Sequence, residues 1–208
     1  MVVLWMLFAS WTCAFTIFVS MCMALRLEFG HINRRLEKEL TSSLSPQKLA
    51  EYGRRHARLA DAARVVDEAF RTFIFVQYIG IVPLIVLHAY GVYLLGESGA
   101  DVPSIATGLA VVGVDSAALM MLNWLPSRLT EEAHFTRVIL ERKFHCSDHF
   151  EPFSQHAMRS QLDWLLCQVD RPVGVSVGGL FLVSKTVIVT LASITITYVV
   201  LLLDFHHG

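Results

Sequence analysis

Charge is scarce in this chain, and where it is missing matters more than its sum. Only 17% of residues are Asp, Glu, Lys or Arg, against 54% hydrophobic, and mean hydropathy is +0.53. A soluble domain of this size needs more polar surface than that. Cysteine is sparse too. Cys13 and Cys22 fall in an apolar run, Cys146 and Cys167 in a polar region, and four such residues make no disulfide framework. The chain has no GxGxxG, no P-loop, no internal repeat and no low-complexity tract. Its net charge of −1 gives no reason to expect a nucleic-acid partner.

What is present is apolar length. Four segments can cross about 30 Å of hydrocarbon as helices: residues 2–25, with no charge; 72–95, with Pro83 in its middle; 102–125, containing Asp115; and 173–203, containing Lys185. Beta-barrel strands are shorter and alternate, and these segments do not. The first lacks the basic start and small-residue cleavage site of a signal peptide, and its apolar run is too long for one. The expected class is an all-α polytopic membrane bundle. A first span with no flank before it fits the later part of a longer protein.

Of the 17 Lys and Arg residues, ten lie between Arg26 and Arg71 and six between Arg128 and Arg171. The positive-inside rule puts regions 26–71 and 126–172 in the cytoplasm. The Gly96–Asp101 turn and the C-terminus then lie outside the cell, with the protein in the plasma membrane. Both basic regions read as helix. Phe29, Ile32, Leu36 and Leu40 recur at helical spacing, as do Leu59, Ala63, Val66 and Phe70, and Met158, Leu162, Leu165 and Val169 share one face. Such stripes pack within one subunit or between subunits, and the pattern leaves both open.

On a helix at about 100° per residue, Thr186, Thr190, Ser193, Thr197 and Asp204 fall within a stripe of roughly 60°, with Leu201 beside it and Val200 on its other border. Hydroxyls and backbone dipoles of that kind conduct water and ions. Leu201 would be an apolar constriction that gates by dewetting, and a ring of Asp204 carboxylates would attract cations. A pore needs several copies around an axis. Ser and Thr also hydrogen-bond across ordinary helix contacts in membranes, and spacing alone does not separate the two.

"TYVVLLLDF" resembles the closing motif of the arthropod gustatory receptors, with Thr197, Tyr198 and Phe205 as its signature residues. "DWLLCQVDRPVGVSVGGLFLVSKTVI", "LTEEAHFTRVILERKF" and "RRHARLADAARVVDEAF" resemble, in order, the approach to that family's last span, the region after its sixth and the entry to its fifth. The resemblance covers residues 26–205 of a family about twice this length with seven spans, so this chain would hold the fourth to seventh. It implies a tetrameric ligand-gated cation channel, homomeric or assembled with related subunits, responding to a tastant or odorant. It also implies a pore lined by Thr190, Ser193, Thr197, Leu201 and Asp204, and cytoplasmic helices that anchor the subunits. No Ser-His-Asp or Cys-His arrangement is suggested by the sequence, so no cofactor or enzyme activity is expected. Asp204 stands where the family usually has Gln and should favour cations more strongly. Val199 replaces the acid that sugar-sensing relatives tend to carry. The competing reading is a truncated, non-conducting four-span scaffold or regulatory subunit.

Other candidates are weaker. Asp115 at mid-span lines a ligand pocket or hydrated crevice, or makes a hydrogen-bonded helix contact with Ser116 or a neighbouring span. His88, Tyr90 and Tyr93 sit where a pocket wall and an interfacial aromatic belt are equally expected. Lys185 can snorkel to the inner interface. "HCSDH", His145 to His149, with His156 nearby, has metal-type ligands, but one HxxxH pair is too few for a membrane di-iron site, and a solvated turn is the plainer reading.

Overall fold

The computed structural model describes residues 2–41, 45–145 and 152–207. The order is α1 (Val2–Thr41), α2 (Pro46–Glu97), α3 (Val102–His145), α4 (Pro152–Val169), β1 (Ser176–Val177), β2 (Phe181–Leu182) and α5 (Lys185–His207). Four of the helices, α1, α2, α3 and α5, are long and apolar enough to cross a membrane. The chain is an all-α polytopic membrane bundle. At 1.5 Å per residue the 52 residues of α2 reach about 78 Å, more than twice the thickness of the hydrocarbon. Residues 72–95 of α2 carry no Asp, Glu, Lys or Arg, whereas its earlier half is dense in them.

Local chemistry sets the helix ends. Pro46 begins α2 where a missing N–H costs nothing, and Ser45 caps it, its Oγ accepting from Lys48 N at 3.4 Å. At the far end Gly99, with φ +68°, closes the helix: Ala100 N donates to Leu95 O at 3.1 Å and Gly99 N to Gly96 O at 3.3 Å, the paired bonds of a Schellman cap. Asp101 follows at once as the cap of α3, its carboxylate accepting from Ser104 Oγ at 2.7 Å.

The chain divides into two compact units. The first, Met1–Ala69 with Leu125–Val175, is built on an apolar cluster of Leu36, Leu49, Ile139, Leu140, Leu162, Leu165 and Val169, one contribution or more from each of α1 to α4. Of the expected stripes, Leu36 on α1 and Leu162, Leu165 and Val169 on α4 belong to this core, with Leu40 packed against it; Phe29 and Ile32 are also buried, and the side chain of Met158 lies outside the described ones. On α2 the buried line is Leu49, Gly53, His56, Ala63 and Val66, while Leu59 is only half-buried. Beside the cluster sits a polar knot. Asn33 Nδ2 donates to Glu132 O at 2.7 Å, Thr136 Oγ1 donates to Asn33 Oδ1 at 2.6 Å, and His56 Nε2 meets Ala133 O at 3.4 Å. The Phe29 ring presses edge-on against His56, centroids 5.2 Å apart.

The second unit, Phe70–Trp124 with Ser176–Gly208, holds the uncharged stretches of α2 and α3, the β1–β2 hairpin and α5. The hairpin corrects the expectation of a span running from Val173. The last helix starts at Lys185. Gly178 and Gly179, with φ +61° and +76°, form a type I′ turn closed by Leu180 N donating to Val177 O at 3.0 Å. Two consecutive left-handed residues cannot continue a helix. The register is Ser176 opposite Leu182 and Val177 opposite Phe181. Gly178 N donates to Arg71 O at 3.3 Å, and the Phe181 ring meets Tyr78 edge-on at 6.5 Å, so the hairpin lies along the start of the uncharged part of α2.

Two outcomes follow. Gly178→Ala places a Cβ 2.9 Å from Phe75 in a backbone region costing about 1–2 kcal/mol for an L side chain. A lowered thermal midpoint in detergent is expected, partly recovered in Gly178→Asn, because Asn tolerates that region. His56 lies in the charged half of α2, and burial pushes its pKa down, against the raising effect of its bond to Ala133. Its folded value is therefore below its unfolded one, and its contribution to stability is complete above about pH 6.5 and is lost as the pH falls from there. Thermal unfolding followed between about pH 7.5 and 5.5 should show a drop that His56→Leu reduces.

Candidate functional site

α5 has two different faces. Val187, Ile188, Leu191, Thr195, Val199 and Leu202 are half-buried at helical spacing, facing the rest of the second unit. Thr186, Thr190, Ser193, Thr197, Leu201 and Asp204 are exposed on the opposite side. Helix geometry puts the two rows roughly half a turn apart. Every candidate from the hydroxyl stripe thus lies on one continuous surface that this chain leaves uncovered. The threonines satisfy their hydroxyl protons inside the helix: Thr190 Oγ1 donates to Thr186 O at 3.0 Å and Thr197 Oγ1 to Ser193 O at 2.8 Å. Each hydroxyl oxygen keeps lone pairs free to face a partner or water. Tyr198 and Phe205 are exposed at 57% and 83%, so with the exposed Thr197 all three signature residues project from the chain instead of packing in it. Lys185 is the first residue of α5.

The residues expected around a ligand pocket separate into two pairs. His88 on α2 and Asp115 on α3 meet directly, Nδ1 to Oδ2 at 2.8 Å. Asp115 therefore bonds across helices instead of to Ser116. Tyr90 and Tyr93, one turn apart on α2, stack with centroids 6.4 Å apart, and Tyr93 OH donates to Glu97 at 2.6 Å. None of the four lines the cavity that α2, α3 and α5 form in this unit. That cavity, of about 250 Å³, is bounded by Ile85, Ser116, Leu119, Met120, Asn123, Ile188, Leu191, Ala192, Thr195 and Ile196.

A second polar link was not anticipated. Tyr78 OH donates to Asn123 Oδ1, and Asn123 Nδ2 donates to Leu119 O at 2.7 Å. An amide within an apolar run was the available signal, because a polar group at that depth must find a partner. Among the described residues no three metal-type side chains converge. Residues 146–149 of the HCSDH turn lie outside the described residues.

The His88–Asp115 pair ties α2 to α3 within the apolar stretches. Asp115→Ala leaves the imidazole without its partner, a loss of about 1–3 kcal/mol. A double-mutant cycle with His88→Ala, read by thermal unfolding, should give a coupling of about 0.5–3 kcal/mol.

No curated relative matches the chain. The family model described as 7tm chemosensory receptor matches residues 1–207, nearly the whole sequence, and its character agrees with four candidate membrane helices. The chain belongs to the 7tm chemosensory receptor family and is a multi-pass membrane protein.

Proposed function

We propose that this chain is a subunit of a chemosensory ligand-gated cation channel, with α5 lining the pore. The observation that carries this reading is the uncovered face of α5. A membrane helix that packs one side on its own unit and leaves hydroxyls, then Leu201, then Asp204 on the other needs polar company at bilayer depth. Symmetric copies, four by resemblance to the gustatory receptors, supply that company by turning the same face to one axis. Thr190, Ser193 and Thr197 then line a wettable passage, Leu201 closes it by dewetting, and Asp204 concentrates cations at its mouth.

The density of Lys and Arg in regions 26–71 and 126–172 supports a cytoplasmic position for them. The α5 C-terminus then lies at the outer surface of the plasma membrane. A tastant or odorant bound among the outer parts of the spans would favour the state in which the α5 helices separate at Leu201, by its differential affinity for that state. Conduction requires the subunits to assemble. A non-conducting scaffold would use the same hydroxyl face for helix contacts.

Recordings from cells expressing the chain, alone and with related subunits, test the reading. Leu201→Ala should raise current in the absence of ligand, because a smaller side chain stays hydrated. Asp204→Asn should lower the preference for cations over anions, most for divalent ions. Currents unchanged by both substitutions, or no current in any combination, would favour the scaffold.

A further inference from the structure

The cavity bounded by Leu119, Leu191 and Ile196 in the second unit has no part in the pore reading. Its lining comes from three helices: Ile85 on α2; Ser116, Leu119, Met120 and Asn123 on α3; and Ile188, Leu191, Ala192, Thr195 and Ile196 on α5. All ten positions fall inside the apolar stretches, so the opening, at the exposed Ser116, Met120, Ala192 and Ile196, lies at bilayer depth. The α5 contributors are on the side away from Thr190, Thr197 and Asp204.

Its chemistry excludes most occupants. Of the polar lining residues, Asn123 spends its oxygen on Tyr78 OH and an amide proton on Leu119 O. Thr195 Oγ1 donates to Leu191 O at 2.8 Å. Ser116 is the remaining polar lining residue. A buried water needs two to four polar partners, and this lining does not offer them. Size narrows the choice further. An apolar cavity of about 150 Å³ holds benzene, and drug-sized ligands occupy about 300 Å³ or more. At about 250 Å³ the space lies between the two.

We propose that this cavity, formed by α2, α3 and the rear of α5, binds a membrane-borne hydrocarbon chain of about eight to ten carbons carrying at most one hydroxyl or carbonyl group. The polar end would lie at Ser116 and the chain against Leu119, Leu191 and Ile196. A free apolar alcohol and the end of a phospholipid tail share this chemistry. The site is separate from the His88–Asp115 and Tyr90–Tyr93 pairs. Its occupancy does not depend on whether the chain conducts.

Photolabelling of the full chain in phosphatidylcholine nanodiscs tests the site. One probe is decan-1-ol carrying a diazirine, and the other is phosphatidylcholine with a diazirine on one acyl chain. Adducts are mapped by mass spectrometry. The alcohol should label the half-buried Leu119 and Leu191 above the exposed Val189, and unlabelled decan-1-ol should compete. Ala192→Trp on α5 and Ser116→Phe on α3 fill the cavity from opposite walls. Each should cut that labelling about tenfold, while Val189→Trp leaves it unchanged, and circular dichroism reports whether each variant keeps its helices. Labelling of the same residues by the phospholipid but not the alcohol, lost in the filled variants, identifies an acyl tail as the occupant and upholds the site. Labelling of the lining no stronger than at Val189 with either probe, or labelling that persists in correctly folded filled variants, overturns it.

Discussion

Hydrocarbon offers no hydrogen bonds, so each backbone and side-chain polar group at bilayer depth must find its partner within protein. The second unit is arranged around that requirement. Its uncharged stretches are helical, which satisfies the backbone along their length. Several of its polar side chains are paired: His88 with Asp115, Tyr78 with Asn123, and Thr190, Thr195 and Thr197 with carbonyls one turn back. Where the chain must leave the helix it does so in a self-paired hairpin whose Val177 is buried, as is Val183 just after it, and Gly178 joins it to α2 through the Arg71 carbonyl.

The same requirement makes the two sides of α5 different in kind. On the packed side, apolar residues and an internally bonded Thr195 surround a cavity with almost no polar group to offer. On the open side, hydroxyl oxygens follow one another toward Leu201 and Asp204. One helix thus presents an apolar surface to its own unit and a polar surface to whatever assembles against it. The proposed pore and the proposed hydrocarbon site are the two faces of this one division. A ligand behind the helix would press on the same helix that carries the proposed gate.

The first unit relies on a different balance. Its apolar cluster draws on four helices, and its polar knot of Asn33, Thr136, Glu132 and His56 joins α1 and α2 to α3 through main-chain and side-chain acceptors. The stripes Phe29–Ile32–Leu36 and Leu162–Leu165–Val169 were readable because a 3.6-residue period reports a buried helix face directly. His56 and Gly53 were not, because a titratable residue and a glycine look like surface in a charged stretch. Only the approach of Phe29 to one and of Trp164 to the other, whose ring leaves no room for a Cβ at Gly53, explains their burial.

The sequence by itself determined the membrane class, the four apolar stretches, the helical nature of the basic regions and the grouping of Thr190, Ser193, Thr197, Leu201 and Asp204 on one helix face. Composition and periodicity are local properties, and the scarcity of charge in long runs leaves few alternatives. Tertiary structure alone decided that the last helix begins at Lys185, that Asp115 bonds His88, that Tyr90 and Tyr93 stand apart from them, and that the cavity is walled by Leu119, Leu191 and Ile196. Those outcomes depend on which residues of α2, α3 and α5 meet. Residues as distant in sequence as Ile85 and Ile196 become neighbours through helix packing, which no local pattern encodes.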